Sequence, residues 1–213
     1  MFETDIDISI PKDVLPTLPY ARFPGQITVI DSVDGVRQAL RALRRCGVVG
    51  FDTETRPSFR RGHTHKVALM QLSTDDRCFL LRLNKTGVSR ALCNFLQDPS
   101  TVKVGLSMHD DFNVLRRSVP ELQPQGFIEL QAYVKRFHIK DISLQKIYAI
   151  LFGEYMPKNQ RLTNWEAEEL TTHQQAYAAM DAWACLRIYK YLKSGRFEPM
   201  ESPYIVRPEG SGG

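Results

Sequence analysis

What this sequence has little of narrows it first. Cysteine is scarce: Cys46, Cys78, Cys93 and Cys185 lie far apart in a chain of 213 residues. None belongs to a C-x-x-C pair or stands near a histidine pair, which excludes the common zinc-site spacings. Each sits in an apolar context, so buried free thiols in a reducing compartment are expected, and with them a cytoplasmic location. No apolar run reaches the roughly 18 residues of a membrane span, so no membrane partner is expected. The start, "MFETDIDISIPKDVLP", has no basic stretch leading into an apolar core, which argues against a secretory signal. Charge of one sign is also modest. A net charge of +4 permits a polyanionic partner without requiring one.

What is present reads as one mixed α/β domain between two irregular ends. Residues 1–25 carry Pro11, Pro16, Pro19 and Pro24 with little periodicity, and read as an extended arm over the domain surface. Residues 26–195 form the domain. Residues 196–213 read as a tail that frays toward the closing "GSGG", a segment left open as native or not. Within the domain, "ITVI" (27–30) is a short strand. Val33, Val36, Leu40 and Leu43 then recur at helical spacing behind Ser32 as N-cap. "VVGFDTE", "VALMQLS" (67–73) and "CFLLRL" (78–83) are strands, the last two joined through "TDDR" as a hairpin. A helix over 88–98, a strand over 101–107 and a helix opening at "DDFNVLRRS" follow. After that the chain turns helical: "LQAYVKRF", "SLQKIYAILFG", "NWEAEEL" and the long "THQQAYAAMDAWACLRIYKYLKS". This order predicts a mixed sheet with helices on both faces.

Three segments carry the chemistry. In "VVGFDTE" an apolar strand ends at Asp52, and Glu54 shares its face because side chains alternate along a strand. Two like charges held so close are costly unless a cation neutralises them, although a strand running out into solvent also ends in acids. In "YAAMDAWACLRIY" Tyr177 and Asp181 are one helical turn apart among apolar neighbours. There an unpaired carboxylate is expensive, and either a ligand role or a tyrosine-bonded structural acid satisfies the pattern. In "KVGLSMHDDFNVLRRS" Asp110 and Asp111 open a helix, where the macrodipole alone already favours acids. Taken together, these hard oxygen donors suit two divalent cations, Mg²⁺ or Mn²⁺, acting on a phosphodiester.

"FDTET", "VGLSMHDDFNVL" and "YAAMD" resemble, in order and spacing, the three motifs of the DEDD exonuclease superfamily. The tyrosine points to the DEDDy, ribonuclease D-like branch. The similarity extends through "LFGEYMPKNQRLTNWEAEELTTHQQAYAAMDAWACLRIY" and covers roughly residues 27–193. It implies a ribonuclease H-like fold and metal-dependent 3′-5′ removal of nucleotides from a DNA or RNA end as nucleoside monophosphates. Residue by residue, it implies Asp52, Glu54, Asp111 and Asp181 as metal ligands, with Tyr177 orienting the attacking water. In the second motif "DFNVL" keeps the family register for Asp111, whereas Asp110 would break it.

The resemblance further implies a nucleotide-pocket role for Met70 and Gln71, where sheet packing is the competing reading. It places His109 near substrate, against a capping or surface role, and Lys158 and Arg161 in a phosphate-contacting loop, against a plain surface loop. The basic loop after the first motif (Arg56, Arg60, Arg61, His63, His65, Lys66) is expected to steer phosphate, against a merely solvated loop, and Trp165 to anchor the core in place of serving as a stacking platform. Two departures stand out. The helical nucleic-acid-binding domain that often follows the nuclease domain is not expected within these 213 residues, and Glu129 occupies a position read as structural. The competing functions are a catalytically silent nuclease-like binding module and a phosphatase of small nucleotides.

Overall fold

The structure, a computed structural model, describes residues 6–58 and 64–206. Its centre is a six-stranded sheet. In chain order the strands are β2 (Gln26–Ile30), β3 (Val48–Thr55), β4 (Val67–Ser73), β5 (Arg77–Arg82), β6 (Val102–Gly105) and β7 (Phe127–Glu129). They lie side by side as β2-β5-β4-β3-β6-β7. β3, β4 and β5 are antiparallel neighbours, as the hairpin chemistry predicts, while β2, β6 and β7 join in parallel. β7 has no counterpart in the sequence reading, because three residues are too short to display a period of two.

Alternation along the strands builds two cores. Val49, Phe51, Met70, Leu72, Phe79 and Leu81 pack under α1 (Val33–Leu43), α3 (Arg90–Leu96) and α4 (Met108–Arg116). Ser32 caps α1 as expected, accepting from the Gly35 amide. On the opposite face Leu69 and Leu80 meet Ala178, Ala179 and Ala182 of α7 (Thr172–Lys193). Val104 joins α7 and α6 (Leu144–Phe152) in a third cluster. α7 starts in a full capping box, with Thr171 and Gln174 each accepting from the other's backbone. No helix among the described residues is long and apolar enough to cross a membrane.

Three expectations are corrected by tertiary contacts. "NWEAEEL" is not helical, because its backbone is engaged elsewhere. The buried Arg82 guanidinium donates to the carbonyls of Ala167 and Glu168, and Asn164 accepts from the Glu166 amide. The arm does more than cross the surface: Ile8 and Ile10 are fully buried. β1 (Asp7–Ile8) pairs with β8 (Ile205–Val206), which ties the start of the tail to the arm. The four cysteines are free, and Cys78 and Cys185 are buried, but Cys46 is exposed at the end of α1. The closing "GSGG" lies outside the described residues.

Candidate active site

β3 delivers the first two acids. Val49, Phe51 and Thr53 point toward α1, α3 and α4, so Gly50, Asp52 and Glu54 point toward α7. Gly50 is what lets the helix approach. A Cβ there would sit 1.8 Å from the carbonyl oxygen of Ala182, and the alanines Ala178 and Ala182 keep the helix side of the contact thin. Asp181, the residue before Ala182, is thereby lowered onto the strand end. Asp52, Glu54 and Asp181 each offer a carboxylate oxygen within 4.8 Å of the others.

Such a cluster resists ionisation. Burial first, and the charge of Asp181 next, push the Asp52 carboxyl well above the usual range. Glu54 is raised in the same way, with Arg161 opposing. Burial raises Asp181, while the neighbouring Tyr177 hydroxyl and the charge of Lys158 draw it back. Beneath them Gln71 stands opposite Asp52 in the antiparallel register. It is fully buried, and neither its Oε1 nor its Nε2 has a partner among the described residues. Hard oxygen donors, mutual repulsion and an unpartnered amide at the floor fit a site for divalent cations.

Asp111 stands apart from that trio. Its Oδ1 accepts a 2.7 Å hydrogen bond from Thr53 Oγ1, across the strand from Asp52. Burial pushes its carboxyl up to about 6 even though the Thr53 bond lowers it. Asp110, beside it, is exposed. Glu129 holds the start of this helix. The backbone N–H groups of Ser107 and Met108 donate to its two carboxylate oxygens at 2.8 and 3.0 Å, and Ser107 is held in the left-handed region at φ 62°. The position read as structural thus supports the helix that carries Asp111.

Tyr177 precedes Asp181 by one turn of α7, so the two side chains share a face of the helix. Burial, followed by the charge of Asp181, raises the tyrosine far above its ordinary value, so it stays protonated at neutral pH. Its ring lies 6.1 Å from that of Trp165, which is fully buried. Lys158 and Arg161 are exposed on the loop before α7, close enough for their charges to act on Asp181 and Glu54 respectively. His109 is exposed in the first turn of α4.

Met70 and Gln71 are separated by the strand's alternation, and Met70 takes the sheet-packing role. Adjacent strand residues face opposite ways, and Met70 is fully buried in the core beneath α1 and α3, with no surface for a ligand. In the basic loop Arg56 pairs with Glu166 at 3.4 Å, while Arg60, Arg61 and His63 lie outside the described residues. Sequence reasoning overlooked Thr53. Its signal was there: a hydroxyl between two acids on a strand must face away from both.

Comparison with known proteins identifies the family. Residues 27–195 match the family described as 3′-5′ exonuclease. The mouse bifunctional 3′-5′ exonuclease/ATP-dependent helicase WRN is 30% identical over 200 residues, covering 89% of this chain and 14% of that protein. Ribonuclease D of Gluconacetobacter diazotrophicus is 29% identical over 192 residues, covering 86% of this chain and 47% of that protein. The chain thus spans less than half the length of these two curated relatives. Among solved structures, Escherichia coli RNase D, an exoribonuclease involved in structured RNA processing, superposes with a TM-score of 0.71 at 25% identity. That match covers 79% of this chain and 44% of that one. The Aedes aegypti Nibbler EXO domain shares the fold, with a TM-score of 0.69 at 23% identity over 82% of this chain and 92% of that one. The chain therefore belongs to the 3′-5′ exonuclease family, hydrolases of the DEDD superfamily, within its ribonuclease D-like branch.

Proposed function

We propose that this chain removes nucleotides one at a time from the 3′ end of single-stranded nucleic acid, releasing nucleoside 5′-monophosphates by DEDDy chemistry. The observation that carries the reading is the trio of carboxylates, Asp52, Glu54 and Asp181, that reach one point, with Tyr177 one helical turn from Asp181. Asp52, Glu54, Asp111 and Asp181 would hold two divalent cations, Mg²⁺ or Mn²⁺. When bound, these neutralise the acids and lower the pKa of water near the phosphodiester.

The side chains divide the remaining work. Tyr177 keeps its proton, so it orients the attacking water by hydrogen bonding rather than removing its proton. Glu54, at the strand tip, accepts a hydrogen bond from that water or from the terminal 3′-hydroxyl. Lys158 and Arg161 hold the phosphate whose bond to the penultimate 3′-oxygen breaks. Thr53 keeps Asp111 turned inward. None of these contacts distinguishes ribose from deoxyribose, so DNA and RNA ends both belong in the test.

The experiment is incubation of the purified protein with 5′-labelled single strands of DNA and of RNA in Mn²⁺. A ladder that shortens from the 3′ end is expected on at least one of them. No ladder on either strand overturns the reading and leaves a silent binding module.

A further inference from the structure

The arm ahead of the matched family region reaches the rim of the site. A cavity of about 440 Å³ opens beside Tyr177 and Asp181, lined on one side by α7 and on another by the 156–160 loop. The arm walls another side through Ala21, Arg22 and Phe23, beside Ile27 of β2. These residues precede the stretch 27–195 that the family shares.

The wall is anchored at both ends. On one side the Ala21 amide donates to the Tyr155 carbonyl at 2.9 Å, the Tyr155 amide donates to the Pro19 carbonyl at 2.8 Å, and the rings of Tyr20 and Tyr155 lie 5.8 Å apart. On the other side the Gln26 amide donates to the Asp76 carbonyl at 2.8 Å. A Cβ on Gly25 would meet that same oxygen at 2.3 Å, so the chain is pressed against the β4–β5 turn. Between these anchors Phe23 packs edge-on against Trp183 of α7 with centroids 5.8 Å apart. Arg22 is exposed and has no ion-pair partner among the described residues.

Cations from two elements meet at the opening. Lys158 and Arg161 of the loop and Lys12 of the arm lie close enough for their charges to act on one another, with Asp181 in the cavity wall opposing them. Like charges gathered beside an aromatic and apolar surface suit a ligand with a phosphate and a planar ring. The volume falls within the roughly 300–1,000 Å³ typical of small-molecule sites and leaves room for a nucleotide.

We propose that this cavity holds one nucleotide of the substrate strand, with Arg22 on its phosphate and Phe23 and His173 bordering its base. This rests on the exonuclease reading above.

The test is equilibrium binding of a short 5′-fluorescein-labelled single strand, with Ca²⁺ replacing the catalytic ions, to wild type, Arg22→Ala and Ala176→Phe. The first variant removes the phosphate contact. The second fills the cavity from an exposed position on α7. Both are expected to bind about tenfold more weakly at an unchanged melting temperature. Affinities within about twofold of wild type for both variants, in a protein that yields the Mn²⁺ ladder, overturn the arm's role alone. Wild-type protein that neither binds a strand nor cuts one overturns the exonuclease reading as well.

Discussion

Thr53 Oγ1 donates a 2.7 Å hydrogen bond to Asp111 Oδ1, linking the back of β3 to a helix 58 residues away in sequence. That bond lowers the Asp111 carboxyl, which burial otherwise lifts to about 6. Thr53→Val keeps the shape and removes the donor. The acid limb of the pH–rate profile is expected to move to higher pH, with a fall in unfolding free energy of about 1 kcal/mol. Thr53→Ser should restore both. An unmoved acid limb in Thr53→Val would show that the bond does not tune Asp111.

Without metal, the protein is expected to lose stability as pH rises. Unfolded aspartates titrate at about 4, whereas Asp111 titrates at about 6 in the fold and Asp52, Glu54 and Asp181 are also raised. Between the unfolded and folded values the native state holds protons that the unfolded chain has released. The stability is therefore fully present below about pH 4 and is lost as pH rises through about 6 and beyond. Melting temperatures in chelator across this range check the sign, and Mn²⁺ should recover the loss at the alkaline end. A metal-free melting temperature that climbs over the window contradicts the mutual repulsion described here.

Asp52→Asn and Asp181→Asn separate chemistry from folding. Each is expected to abolish the ladder while leaving the metal-free melting temperature at neutral pH equal to or above wild type, because one uncompensated carboxylate is gone. A large drop in melting temperature would instead assign these acids to the support of the fold.

Gly50→Ala tests the close approach of sheet and helix. The added methyl meets the Ala182 carbonyl oxygen at 1.8 Å, backbone against backbone, so β3 and α7 must move apart. A loss of about 3 kcal/mol or more in urea unfolding is expected, with activity falling at temperatures where the variant remains folded. Wild-type activity in a folded variant would show that the spacing of Asp52 and Asp181 tolerates that movement.

Arg82→Met tests the irregular segment before α7. It retains an unbranched apolar side chain but leaves the Ala167 and Glu168 carbonyls without their donor, at a cost of about 2–4 kcal/mol. Because this segment seats Trp165 against Tyr177, kcat is expected to fall more than KM changes. Kinetics on the labelled strand read the split.

Much of the fold was legible because it is written locally. The alternation in "VALMQLS", the cap at Ser32 and the apolar body of "VVGFDTE" each specify their element within a few residues. The failures have one cause. "NWEAEEL" carries helix-forming residues, yet Arg82, more than 80 positions earlier, claims its carbonyls.

By itself the sequence determined which acids exist, that Asp52 and Glu54 share a face, and that Tyr177 and Asp181 lie one turn apart. Those relations depend only on strand and helix periods. Tertiary structure alone decided that Asp181 meets the pair, because contact between distant segments depends on how closely two elements pack, here at Gly50 against Ala182. It also decided that Asp111 is held through Thr53 and not within the trio, and that the arm reaches the rim of the site. Hydrogen bonds and close approaches between distant segments have no period, so no local pattern announces them.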